Sequence, residues 1–146
     1  MLALGRLLGA HAALTRELSA QLVAKHGLTL NEYEVLVLLA RAPERAMRRV
    51  DLAHEVRLTP SGVTRLLDRL GATGLVGKRE CETDARVSYA QLTPAGVEKL
   101  ERCGPDQAAA VERLLGERFD EDELGSLVEL LGKLSAPGDD DCDPAP

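Results

Sequence analysis

The chain has 146 residues, of which 45% are hydrophobic and 29% are charged, a balance typical of one globular domain. No apolar run reaches the roughly 18 residues of a membrane-spanning helix, and the N-terminal segment lacks a signal-peptide cleavage site, so we expect a cytoplasmic protein with no membrane partner. The net charge of −6 excludes a chain that is basic throughout, and an aromatic content of 2% indicates a core of leucine, valine and alanine, which suits helix packing.

Two helices are predicted in the N-terminal third. The first covers residues 2–25 and ends at Gly27, because its apolar positions recur every three or four residues, as on one helix face. These positions are Leu4, Leu7, Leu8, His11, Leu14, Leu18 and Leu22. Thr29 and Glu32 have the spacing of a capping box, which starts a second helix that runs to about Ala42. Its predicted inward residues are Tyr33, Leu36, Val37, Leu39 and Ala40.

A short strand near Met47 and two further helices follow. The first of these, "VDLAHEVRL", spans about two turns. In "LTPSGVTRLLDRLGATGLV", Thr59 is an N-cap and Pro60 takes the first helical position, and Gly71 and Gly74 end the helix. Its apolar face consists of Val63, Leu66, Leu67 and Leu70, and its outer face carries Ser61, Thr64, Arg65, Asp68 and Arg69.

The segment after Gly74 loses the helical period and predicts a hairpin. Two short runs, 75–80 and 86–92, flank a polar turn at 82–84. Thr93 and Pro94 then repeat the cap-and-proline start, and a long helix follows to about Arg118. Asp120 caps the last helix, with Glu123 completing a second capping box. Beyond Pro137 the chain is too polar to fold, so residues 138–146 are expected to be a disordered acidic tail.

This order of elements predicts a mainly α fold with a small β-hairpin wing, a winged helix-turn-helix lobe with additional terminal helices. The charge distribution agrees with a local anionic partner. Residues 41–90 carry ten basic and seven acidic side chains, a net charge of +3, whereas the rest of the chain carries −9. Small hydroxyls at a helix start allow close approach to a DNA groove, and a helix N-terminus attracts phosphate.

These residues resemble the MarR family of transcriptional regulators over about 28–100. The similarity rests on "VDLAHEVRLTPSGVTRLLDRLGATGLVGKR" followed by "ETDARVSYAQLTPAG". The family's motifs correspond to Asp68-Arg69-Leu70, Gly74-Leu75-Val76, a wing tip with Asp84-Ala85-Arg86, and Leu92-Thr93 with Gly96. Ala85 stands where a basic residue is common, and Arg48 and Arg49 stand where a serine or threonine cap is more familiar.

The resemblance implies a homodimer that binds double-stranded DNA at a pseudo-palindromic operator and usually represses transcription until a small aromatic or anionic effector releases it. One regulator domain would cover residues 1–137, with the DNA-binding lobe at 28–100 and dimerisation helices at 1–27 and 101–136. The leucine positions of 2–25 and 106–134 support a shared interface independently, because one small lobe cannot cover them all. No cofactor is implied.

The candidate DNA-binding residues lie on the recognition helix, before it, and on the wing. They are Arg48, Arg49, Thr59, Pro60, Ser61, Thr64, Arg65, Arg69, Lys78, Arg79 and Arg86. Arg65 and Arg69 have an alternative role in salt bridges with local carboxylates, and Lys78 and Arg79 have one as solvated charges. Arg86 is expected to enter the minor groove. Asp68 is expected to orient an arginine rather than to approach DNA.

A ligand pocket is expected beside His11 and Tyr33. The three histidines do not have the spacing of a metal site, and no nucleophile–base pair or phosphate loop indicates an enzyme. Three widely spaced cysteines without a CxxC predict reduced thiols. The alternatives left open are a protein–protein adaptor that does not bind DNA and an oxidation-sensing regulator that acts through Cys81.

Overall fold

The computed structural model describes residues 1–80 and 88–134, and the mainly α fold with a small β-sheet is confirmed. The elements are α1 (Leu2–His26), α2 (Leu30–Arg41), a 3-10 turn (Pro43–Arg45), β1 (Ala46–Arg48), α3 (Arg49–Glu55), α4 (Pro60–Ala72), β2 (Val76–Glu80), β3 (Ser88–Leu92), α5 (Pro94–Gly116) and α6 (Glu121–Gly132). The predicted wing tip with Arg86, the thiol of Cys81 and the acidic tail 138–146 lie outside the described residues.

Two compact units make up the chain, Met1–Ala108 and Ala109–Pro146. The first contains α1 to α4, the sheet and the start of α5. The second contains the end of α5 and α6. Within the part of the chain that the structure describes, no helix combines the length and the apolar character needed to cross a membrane.

The sheet has three antiparallel strands in the order β1–β3–β2. Ala90 at the middle of β3 lies opposite Met47 on one side and Lys78 on the other. The predicted hairpin is therefore present, and the strand near Met47 is its third member. Pairing with β3 fixes the start of α3, because α3 follows directly from β1.

Side-chain caps define the starts of α2, α4 and α6, as predicted. Thr29 and Glu32 form a capping box at α2, and Asp120 and Glu123 form another at α6. The Thr59 hydroxyl accepts the backbone N–H of Gly62 at 3.2 Å, with Pro60 in the first turn of α4. The predicted stop at Gly71 is wrong, because α4 continues to Ala72 and the left-handed turn comes at Gly74, with φ of 73°.

The first unit's core is built from leucine and valine of α2, α3, α4 and β3. Its most buried members include Val35, Leu36, Leu39, Leu52, Val63 and Leu70. The prediction that Ala40 points inward is wrong, because Ala40 is exposed. The buried stripe of α2 is Glu32, Val35, Leu36 and Leu39, at i, i+3, i+4 and i+7, and Ala40 falls just outside it.

The base of the hairpin is joined closely to the start of α5. The Thr93 hydroxyl donates to the carbonyl of Gly74 at 2.7 Å, and its oxygen accepts the N–H of Gly96 at 3.1 Å. A Cβ atom on Gly96 would lie 2.4 Å from the Leu75 carbonyl oxygen and 2.5 Å from Leu92 Cδ1. Glycine is therefore required at position 96 for this close approach.

The end of α1 is tied to α5 through charged groups. Asp106 accepts hydrogen bonds from Lys25 Nζ at 3.0 Å and His26 Nε2 at 2.9 Å. Lys99 Nζ donates to the His26 carbonyl at 2.6 Å. The hydrogen bonds from Lys25 and His26 hold the pKa of Asp106 below its usual range.

Each unit also has exposed apolar side chains near one end. In α1 these are Leu2, Leu4, Leu7 and Leu8, and in α6 they are Val128, Leu130 and Leu131, with Leu134 just beyond it.

Candidate nucleic-acid interface

The outer face of α4 consists of small hydroxyls and one arginine near the helix start. Ser61, Thr64 and Arg65 are all exposed. The Thr64 hydroxyl donates to the Pro60 carbonyl at 2.9 Å, and Arg65 Nε donates to the Ser61 carbonyl at 3.4 Å. Among the described residues, no carboxylate lies within salt-bridge distance of Arg65. The Arg65 guanidinium is therefore available to an anionic partner.

The start of α3 adds two more cations. Arg48 is the N-cap residue of α3 and forms no side-chain cap, in agreement with the departure from a serine or threonine noted in the sequence. Its Nε lies 3.9 Å from Asp51 Oδ2 across one helical turn, a distance at the limit of an ion pair. Arg49 is half-buried and lines a cleft between α4 and the strands.

A cleft of about 350 Å³ lies between the second half of α4 and the strands. Arg49 and Lys78 bring positive charge to it, whereas Asp68 brings a carboxylate. The hydroxyl oxygen of Ser88, also at the cleft, is buried and has no hydrogen-bond partner among the described residues. The cleft therefore places two cations and the buried hydroxyl oxygen of Ser88 beside the helix that is predicted to enter DNA.

The structure pairs two of the predicted DNA contacts with carboxylates. Arg69 Nε lies 3.0 Å from Glu32 Oε1, and Glu32 is buried. Arg79 forms an ion pair with Glu44 and lies over the ring of Tyr89. These contacts correspond to the salt-bridge alternative that the sequence left open for Arg69.

The expectation that Asp68 orients an arginine is wrong for the described part of the chain, where Asp68 is exposed and has no ion pair. Sequence reasoning assigned Glu32 only to a helix cap and missed its second role as the partner of Arg69. The available signal was its position three residues before Val35, on the apolar stripe of α2, where an unpaired carboxylate is costly.

The two residues of the expected ligand pocket lie in different surroundings. His11 is exposed and lines an open groove of about 850 Å³ along α1 with Thr15 and Ser19, a lining that does not include Tyr33. Tyr33 packs against the core, and burial raises its pKa. Cys103 is fully buried, and burial raises the pKa of its thiol as well. Over residues 1–80 and 88–134, no group of His, Cys, Asp and Glu is arranged to hold a metal ion.

A short helix, a capped second helix with a polar cationic face, and a three-stranded sheet define a winged helix-turn-helix protein of the transcription-regulator class. The family model described as "MarR family" matches residues 26–87. The crystal structure of Sco3205, a MarR family transcriptional regulator from Streptomyces coelicolor in complex with DNA, is 30% identical, with a TM-score of 0.84 over 91% of this chain and 83% of that one. The chain belongs to the MarR family, whose members are transcription regulators and not enzymes.

Two Bacillus subtilis proteins are similar over most of the chain. The HTH-type transcriptional regulator MhqR is 28% identical over 112 residues, which cover 77% of this chain and 75% of MhqR. The HTH-type transcriptional repressor YetL is 29% identical over 111 residues, which cover 76% of this chain and 66% of YetL.

Proposed function

We propose that this regulator is a sequence-specific repressor that binds double-stranded DNA as a homodimer and is released by a small ligand. The observation that carries the proposal is the outer face of α4, where Ser61, Thr64 and Arg65 are exposed. The Arg65 guanidinium has no carboxylate partner among the described residues. Arginine recognises guanine by two hydrogen bonds in the major groove. Sco3205, which shares this fold, is described in complex with DNA, and YetL is named a repressor.

The proposed contacts fall into two groups. Ser61, Thr64 and Arg65 face base edges, with Thr59 and Pro60 at the phosphate that meets the helix start. Arg48, Arg49 and Lys78 bind flanking phosphates. Arg86, outside the described residues, completes the interface as the minor-groove arginine of the wing, a role that rests on the family resemblance.

The dimer is proposed to form through residues 1–27 and 101–136, leaving 28–100 as the DNA-binding lobe. Support comes from the exposed leucines at the start of α1 and the exposed valine and leucines of α6, since apolar side chains clustered on a surface mark interaction sites. Two lobes related by a twofold axis then read two half-sites of a pseudo-palindrome.

The effector is proposed to be a small aromatic or anionic molecule, on family resemblance. The groove along α1 at His11 is one candidate location, and the surroundings of Tyr33 are the other.

The deciding experiment selects duplexes from a random-sequence library on the wild-type protein and measures their affinity by fluorescence anisotropy. We expect an enriched, pseudo-palindromic site that the protein binds more tightly than scrambled DNA of the same composition. Light scattering on the same sample should give twice the chain mass of 15.7 kDa. A protein that enriches no sequence would instead be the adaptor considered above, and a monomer would contradict the dimer.

A further inference from the structure

Glu32 is a carboxylate on the buried face of α2, with 4% of its side chain exposed. Its Oε2 accepts the backbone N–H of Thr29 at 2.7 Å and the Thr29 hydroxyl at 2.8 Å. These bonds belong to the capping box and leave Oε1 to be satisfied by another donor. A buried carboxylate with an unsatisfied oxygen is strongly destabilising.

Arg69 supplies the cation that faces both oxygens of Glu32. Its Nε lies 3.0 Å from Oε1, and its Nη2 lies 3.3 Å from Oε2. The guanidinium therefore meets both oxygens of Glu32, through a hydrogen bond from Nη2 to Oε2 and an ion-pair contact of Nε with Oε1. The three hydrogen bonds to the Glu32 carboxylate among the described residues all end on Oε2, and Arg69 Nε is the cationic group close to Oε1.

The ion pair joins α4, the helix proposed to face DNA, to the buried face of α2. Glu32 is fixed by its own capping box and by Val35 and Leu36, which are completely buried one turn later. Arg69 lies about a quarter turn around α4 from Ser61, at the border between the buried and the outer face. An ion pair at this border adds a directional contact to the apolar packing of the buried face, and so restricts rotation of α4 about its axis.

We propose that Arg69 is a positioning residue, which acts through Glu32 to set the rotation at which α4 presents Ser61, Thr64 and Arg65, and that it does not itself contact DNA. This inference rests on the proposed DNA binding. It assigns Arg69 to a different role from the other arginines of the lobe, although 65% of its side chain is exposed.

The variant Glu32→Gln separates the two roles, because they predict opposite results. If Arg69 positions α4, loss of the Glu32 charge weakens the pair, and affinity for the selected duplex falls by about tenfold or more. If Arg69 binds phosphate, the same variant releases the guanidinium, and affinity stays the same or rises. Glu34→Gln is the matched control, since Glu34 lies on the same helix, carries the same charge and has, within residues 1–80 and 88–134, only a distant ion-pair partner in Arg57, at 3.9 Å. It should change affinity by less than about twofold.

Salt dependence gives a second readout, which separates a positioning residue from a phosphate contact. Arg69→Ala should lower affinity as much as Glu32→Gln while leaving the slope of log K against log salt unchanged, because no counterion-releasing contact is lost. A phosphate contact would make the slope smaller by about 0.9 for each contact removed. The double variant should be no weaker than either single variant, and Arg69→Lys should recover part of the affinity through one remaining charged donor.

Circular-dichroism melts accompany every variant. If Glu32→Gln is unfolded at the assay temperature, the slope of log K against log salt for Arg69→Ala decides whether Arg69 positions α4 or binds phosphate. A wild-type protein that binds no duplex overturns the proposed function and this inference together. A wild-type protein that binds its duplex, with Glu32→Gln binding equally well or Arg69→Ala reducing the slope, overturns this inference alone.

Discussion

The guanidinium of Arg79 lies 5.1 Å from the centre of the Tyr89 ring, across the antiparallel pair in which the two residues are direct partners. The same guanidinium forms an ion pair with Glu44, whose carbonyl oxygen is 3.4 Å from Gln91 Nε2. The Arg79 guanidinium therefore contacts both the Tyr89 ring and the Glu44 carboxylate. Arg79 and Arg69 are both engaged within the lobe, which leaves Arg65 as the recognition-helix arginine that is free to bind a base.

Arg65→Ala should weaken binding to the selected duplex by about 1–3 kcal/mol, with a smaller loss on random DNA, because a base contact contributes only at the correct sequence. Anisotropy titrations on both duplexes measure this. Arg41→Ala is the control, since Arg41 is an exposed helical arginine that belongs neither to the proposed DNA contacts nor to the proposed dimer interface. Equal losses on both duplexes would reassign Arg65 to a phosphate.

Thr93→Val should destabilise the fold by about 1–2 kcal/mol, because it removes the cap of α5 and the hydroxyl donor to the Gly74 and Leu75 carbonyls. Urea unfolding measures the change. Thr93→Ser keeps the hydroxyl and should cost less than about 0.5 kcal/mol. If the serine and valine variants lose the same stability, the methyl group rather than the hydroxyl is responsible.

Gly96→Ala should destabilise the fold by about 1–3 kcal/mol, because its Cβ would meet the Leu75 carbonyl and Leu92 at distances that real Cβ atoms do not adopt. Gly71→Ala is the matched control. It also places a methyl group near a carbonyl, that of Val76, but at an ordinary 3.7 Å. Because Gly71 lies in a helix, its replacement by alanine should stabilise the fold by about 0.5–1 kcal/mol. Thermal melts of the two variants should therefore shift in opposite directions.

Asp106→Asn should lower the melting temperature at neutral pH, and this difference from wild type should disappear in acid. The pKa of Asp106 is depressed in the folded protein, so its stabilising contribution is present above the ordinary carboxyl pKa and is lost as the pH falls through the lowered value. Melts between pH 7 and about pH 3 test this. Asp68→Asn is the control, because Asp68 is an exposed carboxylate with no ion pair among the described residues. Its difference in melting temperature from wild type should change little with pH.

Local rules predicted much of this fold from the sequence. The caps at Thr29, Thr59 and Asp120 follow from residues three positions apart, and the hairpin follows from a change in periodicity. The contacts that govern the lobe are not local. Glu32 and Arg69 are 37 positions apart, and Glu44 and Arg79 are 35 apart.

No periodicity connects residues so distant in sequence, so the sequence offered Arg69 only an unnamed local carboxylate as the alternative to DNA. The pairing of β1 with β3 was missed for the same reason, since Ala46 lies opposite Gln91 only after the intervening helices have folded. The predicted apolar face of α2 included Ala40 because a small residue gives no preference between core and solvent.

The close approach at Gly96 has a mechanical consequence. A methyl group cannot fit between the first turn of α5 and the residues Leu75 and Leu92 at the base of the hairpin. The start of α5 therefore packs directly against the base of the hairpin. A displacement of the first turn of α5 would therefore be passed directly to the ends of β2 and β3 that it contacts.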